Sequence, residues 1–480
     1  MSSKVSIQDS RQQIRVAIIG AGISGLALAN GLLKDESQRF QVSVYERDQV
    51  AYELDRGGYQ LRMAAGGIEA LKACLDLDTW NELQRAWAGD DAKAPSMVDP
   101  KSMTVHLNLA EVKVYPKSRP IARTDLKRVL LTKPAQHNIV KWGHSFDRYE
   151  LKPASDGSDN HQVLIHFQDP EAHPAVYADI IVAADGSNSR INRQAGLNNK
   201  IKLKSWTLIQ SRGPIDKSIF DKLPRSLLTQ GSNLYLAGTS YSGYAAVYQD
   251  SLLETKMTMA EEEREFQLFW SALVPKDIGD SIIEKSGNDK RRMVKLLCEY
   301  LVNTLQYEDD GLPFIFENAL DHVRTGAVTS SYQPTSDWRQ GKSANARIII
   351  MGDAMHPMTP GRGMGANQAL MDAGNLSNLL RNADFSLSSS GVLDSGASDY
   401  DLQRLVKTFD AEMYERAFKM VKASEDMSGL DLTTSGGKVK IAIGKFVLTT
   451  IGYVVTILEA LGLKQPQEIS FVHPDEKRAA

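Results

Sequence analysis

From Ile14 the chain reads IRVAIIGAGISGLALANGLL, a continuous apolar run broken by a glycine and followed by apolar positions at wider spacing. The β-branched stretch Val16 to Ile19 predicts a strand buried on both faces, and Gly20 ends it. Leu26, Ala29, Leu32 and Leu33 recur at helical spacing, and a second strand, Gln41 to Tyr45, runs up to Glu46. Strand, helix and strand make a βαβ unit. Val163, Ile165 and Phe167 alternate with polar residues after a turn-rich stretch that begins at Pro153, which predicts an antiparallel hairpin. A further buried strand, Ile180 to Ala184, ends in Asp185-Gly186. The middle of the chain carries Trp206, Tyr235, Tyr241, Tyr244, Tyr248, Phe269 and Trp270, and is expected to mix aromatic strands with an acidic helix around Glu261 to Trp270. Arg347 to Met351 returns as a buried strand. A helix is expected over Ala366 to Arg381, with Ala369, Leu370, Ala373, Leu376 and Leu380 on one stripe. The serine-rich segment that follows Asp384 is too small and polar to pack, helices complete the C-terminus, and no internal repeat is present.

The pattern divides the chain into an α/β domain over 1–199 with inserted hairpin segments, a mostly β substrate domain over 200–332, a return to the first domain over 333–384, and a helical region over 385–480. A length of 480 residues suits such a division, since domains centre on roughly 100 to 150 residues. One segment of the last region stands apart. Phe446 to Leu458 (FVLTTIGYVVTIL) holds no charge and is preceded by Lys438, Lys440 and Lys445. A spanning helix wants about 20 apolar residues, so this shorter run reads as a buried or docking helix before a membrane-surface contact, and as a span last.

Charge changes the picture mainly by exclusion. The 56 Lys and Arg against 59 Asp and Glu leave a formal net charge of −3, too little to hold nucleic acid through a general basic field. Cys74 and Cys298 are the only cysteines, which rules out a disulfide framework and a Cys-rich metal site and fits a reducing compartment. The first fourteen residues lack the apolar stretch of about 7 to 15 residues of a secretory signal. The expected location is cytoplasmic, with membrane association at most through 438–463. No metal is expected, because His144, His166 and His173 have neither an HExxH spacing nor a Cys partner.

Gly20, Gly22 and Gly25 form GxGxxG after a strand and at the start of a helix, the context that the motif requires. Gly20 permits the tight turn, Gly22 lets a pyrophosphate approach the backbone, and Gly25 allows close packing of helix on strand. Glu46, 46 − 25 = 21 residues beyond Gly25, stands where an acid accepts from the adenosine ribose hydroxyls, which favours NAD or FAD over NADP. Two later motifs separate these. Asp185-Gly186 closes one strand, and Gly352-Asp353 opens the loop GDAMHPMTPGRGMGANQAL; a nicotinamide Rossmann domain needs neither.

With these three motifs in this order, the chain resembles the single-component (group A) flavin monooxygenases of the para-hydroxybenzoate hydroxylase type, from about Arg15 to Arg381. The stretch TPGRGMGANQALMDAGNL is similar to that of FAD-dependent epoxidases and hydroxylases of bacterial and fungal specialised metabolism. The resemblance implies an α/β fold with a Rossmann-like FAD-binding domain of the GR2 type, an inserted mixed β-sheet substrate domain and a C-terminal helical region. It implies FAD as cofactor and NAD(P)H as co-substrate, with O2 activated as a flavin C4a-hydroperoxide and passed to an electron-rich aromatic or alkene substrate such as an aromatic, an indole or an isoprenoid. It places Glu46 on the ribose, Arg123 near the phosphates or ribityl chain, Asp185 and Asp353 in the two cofactor motifs, and Gly365 and Ala366 against the isoalloxazine. Arg56 and Gly58 stand where the family contacts the phosphate or ribityl chain. His356, beside Pro357, reads as a structural loop residue rather than a general base. On the substrate side Arg212 is the best match to the basic residue that faces the flavin, with Tyr235 as its partner and Tyr248 as the alternative.

Flavin-dependent halogenases share the GxGxxG fold but carry a WxWxIP motif, and none of Trp80, Trp87, Trp142, Trp206, Trp270 and Trp338 stands in such a pair. A reductase or a flavin-binding protein without turnover stays open, as do the substrate, the choice of NADH or NADPH, and the oligomeric state.

Overall fold

The computed structural model describes residues 13–51, 60–87, 94–112, 118–153, 161–249, 266–287, 289–335, 337–340, 345–385, 397–425, 430–460 and 473–475. The chain opens with β1 (Ile14–Ile19), α1 (Ile23–Leu33) and β2 (Phe40–Tyr45), the βαβ unit that the apolar pattern predicts. It continues through β3 (Gln60–Met63), α2 (Ala65–Cys74), α3 (Leu77–Arg85), β4 (Ser96–Val98), β5 (Val105–Asn108), β6 (Arg119–Ala122) and α4 (Arg123–Gln136). Next come β7 (Val140–Lys141), β8 (Phe146–Pro153), β9 (His161–Phe167), β10 (Val176–Ala178), β11 (Ile180–Ala183), α5 (Arg190–Gln194) and the long β12 (Lys200–Ile215). α6 (Lys217–Phe220), α7 (Arg225–Gln230), β13 (Ser232–Ala237), β14 (Tyr241–Gln249), β15 (Phe266–Pro275), α8 (Lys276–Ser286), α9 (Lys290–Glu299), α10 (Leu312–Glu317) and β16 (Arg324–Ser331) follow. The chain then returns through β17 (Ile348–Ile350) and α11 (Gly365–Asn382) and ends in α12 (Ala397–Glu425) and α13 (Ser435–Ala460).

A five-stranded parallel sheet, in the order β17-β11-β1-β2-β7, forms the centre of the first domain. Its strands read as unbroken apolar runs because helices cover one face and a three-stranded antiparallel sheet, β10-β9-β8, lies within the same core. Val163, Ile165 and Phe167 put the alternating face of β9 into that core. On the helical side α1 meets α2, α4 and α11, so a segment more than 300 residues downstream completes the layer around the first helix.

The second sheet has seven strands in the order β16-β12-β15-β14-β13-β4-β5. Two of its strands, β4 and β5, come from within 1–199, so the substrate-side sheet borrows a hairpin from before the sequence division at 200. The acidic helix expected up to Trp270 is corrected: Phe266 to Trp270 begins β15, and Glu261 to Glu265 lie outside the described residues. Pairing with β12 on one side and β14 on the other outweighs any helical tendency, and Leu268, Trp270, Ala272 and Val274 bury one face at strand spacing. Helices α8, α9 and α10 cover that face, which makes the region between 200 and 332 a sheet backed by helices.

Candidate FAD site

β1 ends at Ile19 and the backbone turns at Gly20 with φ +112°. A Cβ there would lie 2.4 Å from the carbonyl oxygen of Ala184, so both the angle and the space require glycine. A Cβ at Gly25 would lie 2.1 Å from the oxygen of Gly20, which is how helix and strand come so close. Gly22 differs, because a Cβ there would meet nothing within 4 Å. It caps α1 with no side chain closing the first turn, and so leaves the N–H groups of that turn facing a cleft of about 460 Å³.

That cleft gathers Gly20, Gly22, Glu46, Arg123, Lys127 and Asp185. One Glu46 oxygen accepts from the Ala21 N–H at 2.7 Å and the other from the Asp48 N–H at 3.1 Å, which fixes the carboxylate at the rim of the glycine turn. Arg123 is the first residue of α4, a second helix whose N-terminus has no side-chain cap, and Lys127 stands one turn further along. Both cations line the same cleft as the glycine turn. Asp185 accepts from the Arg190 N–H at 3.0 Å through one oxygen, while Oδ1 is buried without a well-aligned partner. Burial pushes its carboxyl above the usual range. An acceptor left over beside a cleft lined by two uncapped helix N-termini fits the hydroxyls and phosphates of a dinucleotide.

The second motif closes the site from the far end of the chain. Gly352 packs against Ser24 and Ala369, bringing the loop onto α1 and α11. Asp353 is exposed at the loop surface, with protein packed closely around its carboxyl. Burial raises its carboxyl above the ordinary value, with His356 and Arg123 opposing, so Asp353 and Arg123 share one electrostatic environment. A Cβ at Gly365 would lie 3.9 Å from Asp353 Oδ1, and Ala366 follows in the uncapped first turn of α11. The structure therefore assembles Gly20, Gly22, Glu46, Arg123 and Asp185 around one cleft, with Gly25 packed against Gly20 behind it, Asp353 coupled to Arg123, and Gly365 and Ala366 following beside Asp353. Arg56 and Gly58 lie outside the described residues.

His356 is fully buried, as its structural reading expects, with Nε2 2.6 Å from Asp372 Oδ2. Asp372, equally buried, also accepts from the Gly352 N–H and from Arg416 on α12, each at 2.7 Å. Burial alone raises the Asp372 carboxyl, but His356 and Arg416 outweigh it and hold it below the usual range. This network ties the second cofactor loop to the C-terminal helices, and the sequence reading missed it. The only signal was an aspartate at a buried position beside the apolar stripe of α11.

The seven-stranded sheet turns its other face to α4. Phe269 and Tyr248 pack on Ala122, the residue before Arg123, with Tyr244 against them. Arg212 is half-buried and pairs across the sheet with Phe269, which puts it on this same face. Tyr235 requires a correction. It is fully buried on the opposite face, in the core with Trp270 and Tyr241, and its hydroxyl accepts from Asn233 Nδ2 at 3.1 Å. The register β13 to β14 puts Tyr235 opposite Gly243 and Leu234 opposite Tyr244, so strand parity alone turns Tyr235 away. The alternative, Tyr248, stands on the face that meets α4. Sequence reasoning also passed over Arg62, which donates to Ser118 Oγ at 2.9 Å and Ser232 Oγ at 3.2 Å, while its carbonyl accepts from Asn367 on α11 at 2.8 Å. These contacts join the cofactor loop helix to the substrate-side sheet.

Among the described residues no group of three or more His, Cys, Asp and Glu is placed to hold a metal ion. Cys74 and Cys298 are buried, and burial pushes each thiol up to about 12.

A profile of the FAD binding domain matches residues 317–395. A dual O-methyltransferase/FAD-dependent monooxygenase of Phaeosphaeria nodorum is 24% identical over 453 residues, covering 87% of this chain and 46% of that protein. A FAD-dependent monooxygenase of Penicillium thymicola is 34% identical over 159 residues, 32% of this chain and 30% of that protein. The chain thus spans under half the length of either relative. Among solved structures, HpxO of Klebsiella pneumoniae complexed with FAD and uric acid has a TM-score of 0.61 at 16% identity, over 91% of this chain and 93% of that one. Fold and cleft together define an FAD-binding α/β flavoprotein. With the three cofactor motifs, these likenesses make the chain similar to FAD-dependent monooxygenases over most of its length.

Proposed function

We propose that the protein is an NAD(P)H-driven, FAD-dependent monooxygenase that hydroxylates or epoxidises an electron-rich aromatic or alkene substrate, in secondary metabolism and in the cytosol. The observation that supports this reading is the meeting of the cofactor cleft with an aromatic sheet face at one residue pair, Ala122 and Arg123. Bound FAD supplies hydride acceptance and oxygen activation, chemistry beyond any side chain of the protein.

The chain's own part is to hold and shield. Glu46 accepts from the ribose hydroxyls, the first turn of α1 and Arg123 hold the phosphates, and Asp185 and Asp353 accept from hydroxyls along the cofactor. The first turn of α11, with Gly365 and Ala366, presents its N–H groups to negative charge on the flavin edge. Phe269, Tyr244 and Tyr248 exclude water and stack on the substrate, and Arg212 donates to a substrate oxygen.

Two measurements test the reading. Incubation with NADPH or NADH, O2 and a panel of phenols, indoles and isoprenoids should give a product heavier by one oxygen in mass spectrometry. Glu46→Ala and Asp353→Ala should each lower the FAD bound to purified protein. Full FAD occupancy in both variants would remove these residues from the site. A protein that keeps FAD but oxidises no NAD(P)H with any of the panel would be a flavin-binding protein without this turnover.

A further inference from the structure

Among its described side chains, which run to Ile451, α13 packs on the body of the molecule along one side. Ile441 and Leu448, two turns apart, pack on the small core formed by Met97, Leu107, Leu109 and Leu236 at the β4–β5 end of the second sheet. Lys438 ties the start of the helix to Asp99 at 3.0 Å. The other side faces outward and is apolar: Phe446 is 73% exposed, Ile443 58% and Val439 57%, with Val447 and Ile451 also exposed. At about 100° per residue, Val439, Ile443, Phe446 and Val447 fall within an arc of about 100° on the helix surface. Lys440 borders one side of that arc, and Lys438 and Lys445 lie toward the other, beyond Ala442 and Thr449. Single exposed apolar residues are ordinary, but four on one stripe are not.

Charge identifies what covers the stripe. Between Asp431 and Glu459 the sequence has three lysines and no acid, in a chain whose formal net charge is −3. Positive charge is therefore concentrated where the apolar surface is exposed. Lysines at the margins of an apolar stripe can lay their stems along it and keep their ammonium groups at the level of lipid phosphates. Among the described residues no helix is long and apolar enough to cross a membrane. We infer that α13 docks the protein on an anionic phospholipid surface, lying in the interface with Phe446 and Ile443 inserted and Lys440 and Lys445 against the headgroups. The helix is fixed to the β4–β5 hairpin of the substrate-side sheet, so docking orients that sheet relative to the lipid.

The test is co-sedimentation of the full-length flavoprotein with phosphatidylcholine vesicles, with and without about 30% phosphatidylserine. The wild type should bind the anionic vesicles, and binding should weaken as salt rises. The double variant I443S/F446S should lower vesicle affinity about tenfold or more, and K440E/K445E should abolish the preference for phosphatidylserine, both with unchanged FAD content. Failure of the wild type to sediment with anionic vesicles overturns the inference, as does undiminished binding by I443S/F446S. Light scattering supplies a further check: a wild-type dimer that I443S/F446S converts to monomer would make the stripe a contact between copies and would equally overturn it.

Discussion

In the parallel sheet the groups that face the cleft are set by the backbone, whereas in the seven-stranded sheet they are set by strand register. Gly20 can only be glycine, because a positive φ and the carbonyl of Ala184 leave no room for a side chain. Glu46 is fixed by ending β2 beside the glycine turn, where the Ala21 N–H meets it. On the other sheet Tyr235 and Tyr248 are both strand aromatics, and only the pairing of β13 with β14 decides that one is core and the other faces α4. A site built from turns and helix ends is local information; a site built on one face of a sheet is not.

The largest expected effect tests the backbone half. Gly20→Ala combines φ strain with a Cβ contact of 2.4 Å against backbone, which neither neighbour can relieve by rotating a side chain. It should cost about 3 to 5 kcal/mol and leave the purified protein without flavin. Urea unfolding and the visible absorbance measure the two. A stable, yellow Gly20→Ala protein would show that the turn tolerates another geometry and would dissolve the contrast between the halves.

Next is the link between the cofactor loop and the C-terminal helices. Asp372→Asn keeps the shape but strands His356 and Arg416 around a neutral group in a fully buried place, at a cost of about 3 to 5 kcal/mol. Because the folded protein holds the Asp372 carboxyl below the usual range, its contribution is present above the unfolded value of about 4 and is lost as pH falls through the lower folded value. The stability gap between wild type and variant should thus be constant near neutrality and close at acid pH. A gap that widens on acidification would contradict the charge assignment.

How much of this the sequence made legible follows the same division. The βαβ unit, the strand Ile180 to Ala184 with its Asp185-Gly186, and the helix after the second motif all stand within a residue or two of expectation, since each rests on a continuous pattern and a glycine break. The helix expected to include Phe266 to Trp270 failed because pairing with β12 and β14 is nonlocal. Asp372 was invisible because its partners lie 16 and 44 residues away, and only the fold of the loop after β17 and the packing of α12 on α11 bring them to it.

Arg212 brings the comparison to the substrate side. It shares a sheet face with Phe269 and lies across from it, the face on which we propose that an oxygen-bearing substrate binds. A charge-assisted contact made mainly in the transition state is worth about 2 to 4 kcal/mol, so Arg212→Ala should slow oxygenation roughly 30-fold to 1000-fold. FAD content and NAD(P)H oxidation should persist, with hydrogen peroxide replacing product. Product formation at the wild-type rate would take Arg212 out of the site.

The smallest effect is the sharpest on register. Tyr235→Phe removes only the hydrogen bond from Asn233, whose amide still donates to Ser226 Oγ at 2.8 Å, so it should cost about 1 kcal/mol and leave turnover unchanged. Burial pushes the Tyr235 phenol above its ordinary value. The neutral form is then favoured in the fold, and that part of its stability is present below the unfolded value of roughly 10 and is lost as pH rises through the folded value. The phenylalanine variant has nothing to lose there, so the wild-type advantage should shrink or reverse in alkaline unfolding experiments. Tyr248→Phe, on the face that meets α4, should instead change turnover more than stability. If the two substitutions exchanged these effects, with Tyr235→Phe slowing the reaction and Tyr248→Phe only loosening the fold, the assignment of faces in the second sheet would be inverted.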